Sequence, residues 1–397
     1  MRVGIAWQMG LPSGWGTYAL NLALQLSRLG HRPVPFSLSN APLDQWLDPL
    51  GQRLLAPALA EHARMNHLLA LHGELDLPYL VLHGLADGLD INPFSDQVRG
   101  QPDVGVVFFE SALVPGPNLA AAERFKVIIT GSSWNQMVLE AHGVTHARLH
   151  FQGIDPSVFH PAPRAGLMPP GRFVVFSGGK LEYRKGQDIV IAAFRIFHQR
   201  HPDALLVTAW HNLWPECLET LEESPHVDTL PTVDGRGRLC LGPWFEGLGL
   251  SPDAVLDLGP LANAATARVL RECDLAVFPN RCEGGTNLVA MEAMACGVPA
   301  IVSANTGHLD LIAGQRAMGE PVCWSLTEQG DLTDDGAQPW RTGWGETSVE
   351  ELVEAMEDAY VHRERATRRG QAGARFLARW SWEAQVKDLM ETLNTLA

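Results

Sequence analysis

The chain has 397 residues, 46% of them apolar and 19% charged, with a formal net charge of −15. That length suits two domains, the composition excludes a disordered or fibrous protein, and the charge argues against non-specific nucleic-acid binding. No apolar run reaches the roughly 18 residues of a bilayer span and the N-terminus lacks a signal-peptide pattern, so a cytoplasmic protein with at most peripheral membrane contact is expected.

In chain order, short apolar runs alternate with helical patterns. Strands are expected over 3–7, 79–83, 104–109, 127–130 and 148–151, and helices over 17–29, 53–71 and 134–142. A Pro-rich stretch over 153–163 suits a linker, and the alternation then restarts. Strands are expected over 173–177, 205–210, 275–279 and 300–303, with helices over 186–200, 264–272, 288–296 and 348–360. Two alternating units imply an α/β protein of two Rossmann-like domains with parallel sheets facing across a cleft. The segments 211–252 and 325–347 resist this pattern and read as insertions or lids. Up to Arg164 there are 10 basic and 13 acidic residues, a net of −3, against −12 beyond it. The six cysteines all lie in the second half without a C-x-x-C pair, which fits thiols rather than disulfides or a zinc site.

Three segments carry candidate chemistry. NRCEGGTNLVAMEAMACGVPA (280–300) runs from an apolar strand through a Gly-Gly turn into a helix. Glycines admit a ligand close to the backbone, and free N–H groups at a helix start face an anion. Glu292 sits within that helix, where a carboxylate can accept hydrogen bonds from sugar hydroxyls. Glu283 lies on the loop before the turn and faces the same space. SGGKLEYRKGQD (177–188) holds two of only four lysines, Lys180 and Lys185, at a strand end. Cations there suit a diphosphate, and positive charge is unfavourable at a helix start unless an anion binds. LPSGWGTY (11–18) carries a G-x-G turn, but Tyr18–Ala19 stands in place of a third Gly, so a nicotinamide site is not expected. Glu110 and His83 are further candidates at strand ends.

Together these segments resemble the retaining glycosyltransferases of the GT-B fold, specifically glycosyltransferase family 4. SGWGTYALNLALQLSRLGHRPV is similar to that family's first loop and helix, and ITGSSWNQMVLEAHGV followed by FQGIDPSVFHP to the end of its acceptor domain. CDLAVFPNRCEGGTNLVAMEAMACGVPAIVS resembles its donor-site motif, and FLARWSWEAQVKDLMETL its final helix, which packs back on the first domain. The resemblance implies an acceptor-binding domain over 1–162, joined by a returning helix over 380–397, and a donor-binding domain over 163–379. It implies that Lys180 and Lys185 hold a donor diphosphate and that the segment Gly284, Gly285, Thr286, Asn287 and Leu288 caps the phosphates with amides. Glu292 then binds the ribose, and Gly14 and Gly16 approach the donor from the other domain. Glu283, Glu110 and Lys185 are the expected catalytic groups.

Two departures from the family pattern stand out. Eight residues separate Glu283 from Glu292 where the family has seven, and a bulge at Gly284–Gly285 is expected to absorb the extra one. Phe109–Glu110 stands where many members carry His-Asp, so Glu110 is expected to substitute in part. The implied activity is hexosyl transfer from a UDP- or GDP-sugar to a carbohydrate, glycoside or lipid-linked hydroxyl, with retention and with neither metal nor cofactor. A nucleotide-sugar epimerase or hydrolase and a non-catalytic scaffold are the alternatives.

Overall fold

The computed structural model describes residues 1–396 except 11, 12, 213, 215, 328, 329 and 333–338. It divides into one unit of 1–153, 336–342 and 380–397 and a second of 154–335 and 343–379. The break at Gly153 falls at the start of the Pro-rich stretch. No described helix is long and apolar enough to cross a membrane.

In the first unit, β1 (Arg2–Met9), β2 (Arg32–Leu38), β3 (Val81–Leu85), β4 (Asp103–Val107), β5 (Ile128–Thr130) and β6 (Ala147–Leu149) form one parallel sheet in the order β2-β1-β3-β4-β5-β6. Its helices include α1 (Gly14–Arg28), α2 (Pro49–His72) and α3 (Ser133–Ala141). β2 is missing from the sequence expectation because Pro33 and Pro35 read as breakers. It is an edge strand, bonded only to β1, where a missing N–H is tolerated. α2 starts earlier than expected because Asp48 caps it, accepting from the Gly51 N–H at 2.6 Å, with Pro49 at the first helical position.

The second unit holds β7 (Phe173–Lys180), β8 (Ala204–His211), β9 (Val255–Asp257), β10 (Leu275–Phe278), β11 (Ala300–Ser303) and β12 (Trp324–Leu326). All pair in parallel, in the order β9-β8-β7-β10-β11-β12. The chain works outward from β7 in one direction, then returns to work outward in the other, which is the Rossmann order. Its helices include α4 (Gln187–Arg200), α5 (Asn263–Leu270), α6 (Leu288–Ala295), α7 (His308–Met318), α8 (Val349–Val361) and α9 (Arg363–Leu377). The three-residue edge strands β9 and β12 were too short to read from periodicity. α9 was missed because its sequence, RERATRRGQAGARFL, is polar; its small residues pack against α6.

Two expectations are corrected. The segment 211–252 is not a lid alone: Leu218, Leu221, Leu241, Trp244, Phe245 and Leu248 join the core of the second unit. β4 ends at Val107, so Glu110 sits on a loop rather than ending a strand. Part of the other insertion, 328–329 and 333–338, lies outside the described residues. The last helix, α10 (Trp382–Asn394), belongs to the first unit, where it lies against α1.

Candidate active site

The carboxyl ends of β7 and β10 are neighbours at the point where the strand order reverses, and ligands of parallel sheets collect at such a point. Two loops leave from there. The first runs from Lys180 into a 3-10 turn at Tyr183–Lys185, closed by the Lys185 N–H donating to the Glu182 carbonyl at 2.9 Å. Gly186 ends the turn in the left-handed region, with φ of 68°, and a Cβ there would run into the Pro279 carbonyl, so only glycine fits. The second loop, from Pro279 to Asn287, is tied to the first: the Arg281 N–H donates to the Arg184 carbonyl at 2.8 Å.

Five charged side chains meet between these loops. Arg184, buried, donates to Glu182 at 2.5 Å and to the Cys282 carbonyl at 2.8 Å, and lies 3.4 Å from Glu283. Lys180 reaches Glu182 at 3.2 Å. Lys185 donates from Nζ to Glu283 Oε1 at 2.5 Å, and Asn280 donates to the same oxygen. Burial favours the neutral acid at Glu283, but Lys185 and Arg184 outweigh it and hold the carboxyl down at about 2. Glu182 is likewise held below its ordinary value: burial opposes its charge, and Arg184 and Lys180 prevail.

A neutral histidine lies beneath. The Ser303 hydroxyl donates to the Asn280 carbonyl at 2.5 Å, so His308 Nδ1, 3.0 Å away, is the donor to Ser303 Oγ. His308 Nε2 then accepts from the Asn287 amide at 3.0 Å. Burial pushes this imidazole down to about 4. Asn287 in turn caps α6, accepting from the Ala290 N–H at 3.2 Å. Its φ is 60°, whereas neither Gly284 nor Gly285 has a positive φ. The left-handed residue of this segment is Asn287, which tolerates that region and is braced by His308.

Among the described residues, the N–H groups of Gly285, Thr286 and Asn287 make no hydrogen bond, which leaves donors at a helix start. Glu292, on α6, is half-buried and has no side-chain partner among the described residues. Burial alone pushes its carboxyl up to about 8. One segment of sequence therefore carries two acids shifted in opposite directions: Glu283 held down by Lys185 and Arg184, Glu292 pushed up by burial.

The other candidates lie in the first unit. Gly14 opens α1 with free space beside it, whereas a Cβ on Gly16 would collide with the Gly10 carbonyl. Glu110 is half-buried, and its N–H donates to Asp87 at 2.7 Å. His83 is fully buried between Ser95 at 2.7 Å and Asp103 at 2.8 Å, and Arg124 also donates to Asp103 at 3.0 Å, so it braces the core. Sequence reasoning missed Arg281, Asp188 and His308. The available signal was an Arg just past the end of an apolar strand together with an Asp opening α4, the first helix of the second unit.

Residues 162–316 match the family of glycosyl transferases group 1, and 262–389 match family 4 glycosyltransferases in conflict systems. D-inositol 3-phosphate glycosyltransferase of Segniliparus rotundus is 27% identical over 257 residues, 60% of this chain and 44% of that one. The enzyme of the same name from Mycobacterium tuberculosis is 29% identical over 219 residues, 52% of this chain and 40% of that one. The match thus spans less than half the length of these relatives. Among solved structures, sucrose-phosphate synthase from Thermosynechococcus elongatus aligns over 100% of this chain and 98% of its own, with TM-score 0.66 and 18% identity. HepE of Anabaena, in complex with UDP and glucose, aligns over 100% of both chains with TM-score 0.64 and 18% identity. These last two likenesses concern the fold, which is GT-B.

Proposed function

We propose that this chain, a glycosyltransferase of the group 1, family 4 type on the GT-B fold, moves a hexosyl unit from a UDP- or GDP-sugar to the hydroxyl of a carbohydrate, glycoside or lipid-linked acceptor. The observation that carries this reading is the set of fixed cations and unbonded amides at the β7–β10 switch point. A diphosphate placed there meets Lys180, Arg184 and Lys185 on one side and the N–H groups of Gly285 to Asn287 on the other. Glu292, with no side-chain partner among the described residues, is suited to accept hydrogen bonds from vicinal ribose hydroxyls.

In the reaction, the bond from the anomeric carbon to the phosphate oxygen breaks and its electron pair stays on the leaving diphosphate. An oxocarbenium-like carbon takes the acceptor oxygen, and the hydroxyl proton leaves with the departing phosphate or a nearby base. Negative charge grows on the diphosphate as the bond breaks, so prepaid cations and amides stabilise the transition state more than the ground state. Glu283 keeps Lys185 oriented, and Glu110 and Gly14–Gly16 are the first-unit groups assigned toward the reacting sugar. Retention follows the family resemblance. Lys180, Arg184 and Lys185 supply the charge a divalent ion would bring, so transfer proceeds without metal or other cofactor.

The test is a thermal-shift screen with UDP-, GDP- and ADP-sugars, followed by product analysis with and without acceptor. A donor at about 100 Kd raises stability by about 2.7 kcal/mol. Sugar consumed only with acceptor supports transfer. Isomerised or hydrolysed donor without acceptor supports the epimerase or hydrolase instead, and binding without turnover supports a scaffold. EDTA should leave the transfer rate intact; loss restored by a divalent ion would overturn the metal-free account.

A further inference from the structure

Arg281 is the one arginine among the largest fully buried side chains of the described residues. Its guanidinium forks onto Asp188, with NH1 and NH2 each donating at 2.8 Å to one carboxylate oxygen. Nε donates to Glu346 at 2.8 Å, and NH1 also donates to the Tyr183 carbonyl at 2.7 Å. The guanidinium lies 3.7 Å from the centroid of the Tyr183 ring, and that centroid lies 6.4 Å from the Trp344 ring. The backbone joins in: the Arg281 carbonyl accepts from the Gly345 N–H at 3.0 Å. Asp188 takes a further bond from the Ser224 hydroxyl at 2.6 Å.

We infer that Arg281 is the positioning residue of the diphosphate site: it fixes the Tyr183 turn, and so the places from which Arg184 and Lys185 present their charge, and through Glu346 it ties that placement to the ribbon strand Gly345–Glu346. The inference rests on the donor-site reading above. Removing a buried charge from water is costly, and a packed apolar side chain would hold the fold as well or better. What an apolar residue would not do is bond a carbonyl and two carboxylates through its N–H groups while lying over a ring. The fork geometry therefore serves the placement of the next two residues, Arg184 and Lys185. A displacement of about 1 Å in a positioned group can cost 100-fold. Burial opposes the charge on Arg281, but Asp188 outweighs it and keeps the guanidinium protonated throughout.

The test compares ligands with and without the second phosphate. UDP and UMP, and in parallel GDP and GMP, are titrated into wild type, Arg281→Lys and Glu346→Gln. Arg281→Lys keeps the charge and loses the fork. It should weaken the diphosphate at least about tenfold and the monophosphate no more than about threefold. Glu346→Gln leaves the Asp188 fork intact and should shift the same ratio in the same direction by about threefold. A purely structural role would lower the melting temperature and weaken both ligands alike, and that result overturns the inference, as does an unchanged ratio in both variants. If Arg281→Lys fails to fold, the ratio in Glu346→Gln decides alone. Wild type that binds neither diphosphate refutes the donor site itself, whereas wild type that binds one while the ratio stays fixed refutes only the role of Arg281.

Discussion

The two sheets reverse their strand order at different places and fill those places with different chemistry. In the second unit the switch point between β7 and β10 holds Lys180, Arg184 and Lys185 against Glu182 and Glu283. In the first unit the order turns between β1 and β3, and the side chains gathered near the end of β1 are aromatic. Trp7 stacks on Tyr18 at 5.9 Å, and Trp15 meets the edge of Phe108 at 4.8 Å. A strand end is a location that topology supplies, and the residues placed there decide what binds. Trp7 and Tyr18 are buried, so their rings pack the turn after β1, whereas the second unit places charged side chains at the same topological point.

The sharpest way to break this contrast is Lys185→Ala. If the charged switch point is the diphosphate site, the variant loses a charge-assisted partner worth about 1.5–3 kcal/mol, roughly 10- to 100-fold in Kd for UDP or GDP. Glu283 keeps Arg184 and Asn280 as partners, so the melting temperature should fall little. Isothermal titration decides, and an unchanged Kd removes Lys185 from the site.

The next contrast lies inside the aromatic switch point. Gly16→Ala forces a Cβ against the Gly10 carbonyl and should cost about 1–3 kcal/mol of stability through overpacking. Chemical denaturation measures it; wild-type stability would mean that the turn after β1 yields freely.

The two acids of the donor loop separate by pH. The folded chain keeps a proton on Glu292 up to about pH 8, whereas the unfolded chain releases it near 4.5. Stability from this group therefore falls as pH rises through that interval. Glu283 runs the other way, contributing stability above 4.5 that is lost as pH drops toward 2. His308, lowered to about 4 from 6.5, also costs stability only as pH falls below 6.5. Between pH 6.5 and 8 only Glu292 of these three changes charge. The wild-type melting temperature should decline across that window and that of Glu292→Gln should stay flatter. Equal slopes would place Glu292 in solvent.

Much of this was legible beforehand, and for physical reasons. Continuous apolar strands such as 275–278 and capped amphipathic helices such as α8, where Ser348 accepts from the Glu351 N–H, announce themselves by period. Arg281 and Asp188 were not legible because their meaning is a contact between residues far apart in the chain. The segment between Glu283 and Glu292 was hard to read for a different reason. Glycine is the default choice for a left-handed position, yet here Asn287 takes it, because His308 and the Ala290 N–H hold both ends of its amide. That bracing comes from α7, which periodicity did not show.

The smallest expected effect tests whether the two glycines of the G-x-G turn do the same job. Gly14 is the first residue of α1, its φ is not positive, and among the described residues a Cβ there meets nothing within 4 Å. Gly14→Ala should therefore leave the fold intact or stabilise it by about 0.4–1 kcal/mol, because alanine loses less freedom on folding. Space beside a backbone at a helix start is also what a ligand would use. If Gly14 serves only the turn, turnover of the nucleotide-sugar should match wild type. If it lets the donor approach, the added methyl should raise KM for the nucleotide-sugar in a protein that is as stable as wild type or more so. A stable variant with unaltered KM would leave the aromatic switch point without a glycine that serves the donor, and the contrast between the two units would then be complete.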